Sequence, residues 1–146
     1  MADAKTEEYY QRVLNLIDAN EVLVSTDAIV KNCERIARLC DTLGSFKDCS
    51  ELKDKYENLA KDVKEKNLET EYSKCLTRMN NANSIDSLKR TEMLFRELGD
   101  YKDASVLADS CKEKITGIRR REIIGRIIRS IAAIAAVVLL VHFMAS

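Results

Sequence analysis

Residues 123–145 read IIGRIIRSIAAIAAVVLLVHFMA, and no other stretch of the chain resembles them. The last 15 of these, residues 131–145, carry no charge and one polar side chain, His142. As a helix those residues cover roughly 22 Å, short of the roughly 30 Å hydrocarbon core of a bilayer. Starting the helix at Ile123 lengthens it to roughly 35 Å, which is enough to span. The extension takes in Arg126 and Arg129, whose stems can lie along the helix while the guanidinium groups reach the headgroups. Arg119, Arg120 and Arg121 stand just before them. The helix is apolar on every face, and a chain of 146 residues offers little to bury it against. The expectation is a transmembrane helix with a basic collar, together occupying residues 119–146. The positive-inside rule then places the collar, and everything before it, in the cytosol. The expected layout is a tail-anchored, single-pass membrane protein that meets the membrane through residues 123–145. A basic collar also favours anionic lipid, by roughly 1 kcal/mol per Lys or Arg near the surface.

Residues 1–118 are short enough to form one head domain. The formal net charge of zero hides an asymmetry, since residues 119–146 carry five arginines against one glutamate, Glu122. The head is therefore mildly acidic, which argues against nucleic acid as a partner. The chain has no proline and four glycines, and about one-third of its residues are charged. Strand and turn signals are scarce, so the expected fold class is all-α. The opening MADAKTEEYY is polar and acidic, and no signal peptide is expected there.

Apolar residues at helical spacing mark six segments before the span. Thr6, Glu7 and Glu8 open the first, whose stripe is Tyr10, Val13, Leu14 and Ile17. Ser25, Thr26 and Asp27 form a cap cluster before the second, with Ile29, Cys33, Ile36, Cys40 and Leu43, and Gly44 follows as a C-cap. The third carries Cys49, Leu52, Tyr56, Leu59 and Val63. Lys64, Glu65, Lys66 and Asn67 then interrupt the stripe. The fourth holds Leu68, Tyr72, Cys75, Leu76 and Met79. Ser84 caps the fifth, with Ile85, Leu88, Leu94, Phe95 and Leu98, which Gly99 stops. The sixth begins near Lys102, with Ala104, Leu107, Ala108, Cys111 and Ile115, and its pattern runs toward the span.

The two halves of the head repeat. Leu-Gly-Ser-Phe-Lys-Asp-Cys-Ser, from Leu43, aligns with Leu-Gly-Asp-Tyr-Lys-Asp-Ala-Ser, from Leu98, at a separation of 55. Upstream, Tyr10-Gln-Arg-Val-Leu aligns with Tyr72-Ser-Lys-Cys-Leu at a separation of 62, so the first copy holds seven extra residues between its first two helices. Unit one covers about 7–66 and unit two about 68–118. The expected head is two tandem copies of a three-helix unit, each burying its apolar face on its neighbour. The repeated signature is Gly44, Phe46 and Cys49 in one copy and Gly99, Tyr101 and Ala104 in the other. Glycine lets the chain leave a helix with positive φ, the aromatic fills the gap at the turn, and the small residue lets the second helix approach.

This signature resembles the inner part of a tetratricopeptide repeat, where a Gly-x-Tyr-x-x-Ala string joins two antiparallel helices. Leu-Gly-Asp-Tyr-Lys-Asp-Ala, followed by Leu107 and Cys111, is also similar to a repeat common in bacterial membrane-associated proteins. The resemblance covers about 20 residues of each copy, and the separation of 55 exceeds the family period of about 34. It implies helical hairpins of a kind that serve protein–protein interaction.

No constellation for chemistry is expected. The single histidine lies in the apolar tail, so Ser-His-Asp and Cys-His sets are excluded, and four scattered glycines build no phosphate loop. The five cysteines, Cys33, Cys40, Cys49, Cys75 and Cys111, include no C-x-x-C pair and fall on apolar stripes. They read as small buried hydrophobes in a reducing compartment rather than as zinc ligands. No catalytic, cofactor or metal site is expected. The function expected from the sequence is a cytosol-facing adaptor or scaffold that binds another protein at a membrane. The alternative is a self-assembling, membrane-active protein in which the apolar helix does the work, Ala132 and Ala136 supplying a small-residue face for homo-oligomers.

Overall fold

The computed structural model describes residues 3–145. All regular structure among the described residues is helical. The order is α1 (Ala4–Asn20), α2 (Thr26–Leu43), α3 (Cys49–Asn80), α4 (Ile85–Glu97) and α5 (Ala104–Ala145). Five helices thus replace the six segments and separate span expected from the stripes. Lys64, Glu65, Lys66 and Asn67 interrupt the apolar pattern but not the backbone, and α3 runs through them. Lysine and glutamate are good helix formers, and no glycine or proline lies between Cys49 and Asn80. The same reasoning applies to α5. Gly117 and Gly125 each weaken a helix by about 1 kcal/mol relative to alanine, too little to break a 42-residue run.

Helix starts follow local chemistry. Ser84 is extended, and its hydroxyl accepts from the Ser87 amide at 3.2 Å, capping α4. Ser25 precedes α2 with an extended backbone, but its side chain makes no capping bond.

The chain divides into two compact units, Met1–Thr70 and Glu71–Ser146. In the first, α1 packs on α2 and the early part of α3 closes the core. Val13, Cys33, Ile36, Cys40 and Cys49 are fully enclosed, with Tyr10, Tyr56 and Ala60 around them. In the second, α4 packs on α5. Phe95, Leu88, Ala104, Ala108 and Cys111 form the centre, with Tyr72 and Cys75 from the end of α3 and Ile115 further along α5. Thr91 is the one buried polar residue among the described residues, and its hydroxyl is satisfied by the Ser87 carbonyl at 2.9 Å.

All five cysteines are free and buried. Burial raises the pKa of each thiol above the ordinary value, and that of Cys40 to about 11. Their contribution to stability is complete below the unfolded thiol pKa, near 8.5, and is lost as pH rises through the folded values. At pH 8 the native protein should react with a thiol reagent far more slowly than the protein in denaturant, where all five thiols react. Rapid native labelling, followed by mass spectrometry, would contradict this core.

Candidate functional site

Two turns carry the repeated signature. Gly44 ends α2 with φ 59° and ψ −124°, and Gly99 follows α4 with φ 60°. A Cβ at either glycine would meet nothing within 4 Å, so the backbone angle and not crowding demands glycine there. Three residues later the chain again takes positive φ, 51° at both Lys47 and Lys102. Lysine tolerates this conformation poorly, and each ammonium group finds compensation over an aromatic ring. Lys47 Nζ lies 4.1 Å from the Tyr10 ring centre and 2.7 Å from Glu7 Oε1. Lys102 Nζ lies 5.0 Å from the Tyr72 ring centre.

The next residue is an aspartate in both turns. The Tyr10 hydroxyl donates to Asp48 Oδ1 at 2.7 Å, and the Tyr72 hydroxyl donates to Asp103 Oδ1. Phe46 meets Tyr10 edge-on at 5.7 Å between ring centres, and Tyr101 meets Tyr72 edge-on at 5.9 Å. Both turn aromatics are half-buried, whereas Cys49 and Ala104, which start α3 and α5, are fully enclosed. The signature residues therefore assemble at the hairpin turns, Gly44, Phe46 and Cys49 at one and Gly99, Tyr101 and Ala104 at the other. The tyrosines already stand on the apolar stripes, but the lysine and aspartate that complete each turn escape that reading. Their signal lies in Lys-Asp recurring at a separation of 55 and Tyr at 62.

Beyond the turn, the outer face of unit one carries a groove between α2 and α3. A hollow of about 420 Å³ has Ala37 and Ala60 in its floor and Arg38, Glu57 and Lys61 along its walls. Two ion pairs cross it, Lys53 to Asp41 at 2.5 Å and Lys64 to Glu34 at 2.7 Å. Its hydrogen bond to Lys64 holds the Glu34 carboxyl below its ordinary range, and the bond to Asp41 raises the Lys53 pKa.

The second feature is the exposed part of α5. Ile118 is the last residue of this helix packed on the core of unit two. From Ile123 to Val141, eleven Ile, Leu and Val side chains are exposed, each at 48% or more. At about 100° per residue, ten of the eleven lie within an arc of about 200°, and Leu140 with Ala132, Ala133 and Ala136 keeps the opposite face apolar. This is the one helix among the described residues long and apolar enough to cross a membrane. Arg119, Arg120, Arg121, Arg126 and Arg129 are exposed at its base. Arg129 Nε donates back to the Gly125 carbonyl at 3.2 Å.

No family model, curated protein or solved structure matches the chain. Among the described residues, no group of three or more His, Cys, Asp or Glu side chains is placed to hold a metal ion.

Two outcomes test the turns. Donating to Asp48 pushes the Tyr10 pKa up to about 12. A raised value means the bond supports the fold fully below the unfolded pKa, near 10, and loses that support as pH rises through about 12. In Asp48→Asn the ring should ionise closer to its ordinary value, which a spectroscopic tyrosine titration reads directly. Gly44→Ala should lower stability by about 1–3 kcal/mol through backbone strain alone. An unchanged melting temperature would show that the turn relaxes.

Proposed function

We propose that this chain is a single-pass membrane protein whose helical-repeat head faces the cytosol and acts as a protein–protein interaction adaptor or scaffold. The observation that carries the membrane part is the exposure of α5 on all sides. Fully burying one Val, Leu or Ile gains about 1.5–3 kcal/mol. Eleven such side chains left in water forgo roughly 15–30 kcal/mol, more than the roughly 5–15 kcal/mol that holds a typical domain together. A partner packed on one face leaves the others wet, whereas hydrocarbon covers them all. With the arginine collar at its N-terminal end, the positive-inside rule puts the head in the cytosol.

The head is proposed to be two tandem copies of one three-helix unit, of a tetratricopeptide-like kind. Supporting this are the matched glycine and lysine dihedrals, the two tyrosine–aspartate bonds and the edge-on ring pairs at separations of 55 and 62. In this reading α3 serves both copies, closing the first and opening the second. The groove between α2 and α3 is the surface proposed to receive a partner. Its alanine floor admits an apposed segment, and its lysines and acids offer charge along both walls.

Four measurements test the reading. The full chain should resist alkaline carbonate extraction, and residues 1–118 should be soluble and helical by circular dichroism, because core packing ends at Ile118. A reporter fused after Ser146 should be inaccessible from the cytosol in intact membranes, and accessibility would sink the orientation. Immobilised head should capture a protein partner, and charge reversal at Arg38 and Lys61 should weaken that capture. If the head captures nothing while residues 119–146 alone oligomerise, the adaptor reading fails and self-assembly replaces it.

A further inference from the structure

Most basic side chains with an assigned partner in the head face an acid. Arg12 meets Glu8 at 2.6 Å, Lys47 meets Glu7 at 2.7 Å, and Arg96 meets Asp109 at 2.6 Å. The collar differs, because none of the ion pairs among the described residues involves Arg119, Arg120, Arg121, Arg126 or Arg129. Its first member marks the change. At a separation of 55, Glu34 and Lys64, which pair at 2.7 Å, correspond to Lys89 and Arg119. Where unit one holds an acid and a base, unit two holds two bases.

The collar also has a definite shape. At about 100° per residue, the five arginines leave the helix axis at about 0°, 100°, 200°, 340° and 280° in chain order. No gap between neighbours exceeds about 100°, so the charge forms a ring and not a one-sided patch. Side chains on a helix lean toward its N-terminus, and Arg129 already reaches back to the Gly125 carbonyl. The five positions span about 15 Å of axis, and with Arg126 and Arg129 folded back by one turn while Arg119, Arg120 and Arg121 extend straight outward, the guanidinium groups gather into a band about 9 Å tall. The headgroup layer of one leaflet is about 5–8 Å thick. Residues 126–145 then supply about 30 Å of helix, the thickness of the hydrocarbon core.

We propose that this ring is a binding site for anionic phospholipid, in which the guanidinium groups contact headgroup phosphates and carboxylates around the whole circumference of α5. The proposal rests on the reading of α5 as a membrane span. A ring fits lipid, which surrounds a helix, better than it fits a folded partner, which meets one side. Bidentate guanidinium–phosphate contacts supply the affinity, and their polarity fixes the depth at which the helix sits.

The test uses the full chain, synthesised without cells in the presence of preformed vesicles of phosphatidylcholine alone or with phosphatidylserine added. Flotation measures binding, and alkaline carbonate extraction measures insertion. The chain should associate more with the anionic vesicles, and high salt should erase that preference. Neutralising Arg119, Arg120 and Arg121 to Gln should reduce the preference by roughly fivefold for each arginine. These residues lie outside the packed core, so the variant tests charge without disturbing the head, and the salt arm needs no variant. Equal, salt-insensitive association with both vesicles overturns the lipid site even if insertion is complete. Anionic preference with full release by carbonate refutes the span and the ring with it, leaving a peripheral charge attraction only. Association with neither vesicle overturns both.

Discussion

Each unit depends on a tyrosine tied to an aspartate across a turn. Tyr10 lies on α1, and its hydroxyl bond reaches the residue just before α3. Tyr72, near the end of α3, makes the equivalent bond to the residue just before α5. The bond links the helix that opens a unit to the point where the hairpin reverses. Around it the rest is determined. The aromatic two residues before the aspartate packs edge-on against the tyrosine, and the lysine between them covers the ring with its ammonium group. Glycine releases the preceding helix, and the small residue after the aspartate lets the next helix enter the core. Loss of the tyrosine hydroxyl would leave the aspartate without its partner, while the ring would still lie under the left-handed lysine.

The helical class and the apolar C-terminal helix were legible because burial acts through periodicity. Residues such as Cys33, Ile36 and Cys40 recur at the spacing of a helix face, and they are the residues enclosed by the core. The continuity of α3 was not legible from the same signal. A break in the stripe at residues 64–67 records only a change in what the helix packs against, while helix propensity and the absence of glycine and proline govern the backbone. The left-handed lysines were hidden for a different reason. Lysine has no intrinsic preference for positive φ, and the tyrosine rings that both ammonium groups cover come together only in the fold. Likewise nothing in Ser25 distinguishes it from Ser84, yet only Ser84 makes a capping bond.

The two cores and the end of α5 apply the hydrophobic effect in opposite ways. The head fills its interior with small and medium side chains, cysteine and alanine prominent among them, so that helices approach closely and thiols stay protonated. Beyond Ile118 the same helix leaves its large aliphatic side chains exposed, with alanines and Leu140 on the face opposite most of them. Under the proposed span, the arginines would stand at this change of solvent. They have a chemical reason to be arginine and not lysine, since a planar, weakly hydrated guanidinium can lie close to hydrocarbon and still make two parallel bonds to an oxyanion.

The continuity of α5 has a mechanical consequence. Ala104, Ala108, Cys111 and Ile115 close the core of unit two and stand on the helix that carries the exposed aliphatic run. About 29 Å of helix separates Ala104 from Ile123, without proline to act as a hinge. For a helix seated in a bilayer, a change of about 10° in tilt swings the turn at Tyr101 by about 5 Å. The anchor is then also a lever. Hydrophobic mismatch with a thicker or thinner bilayer would be felt by unit two as displacement above the membrane surface.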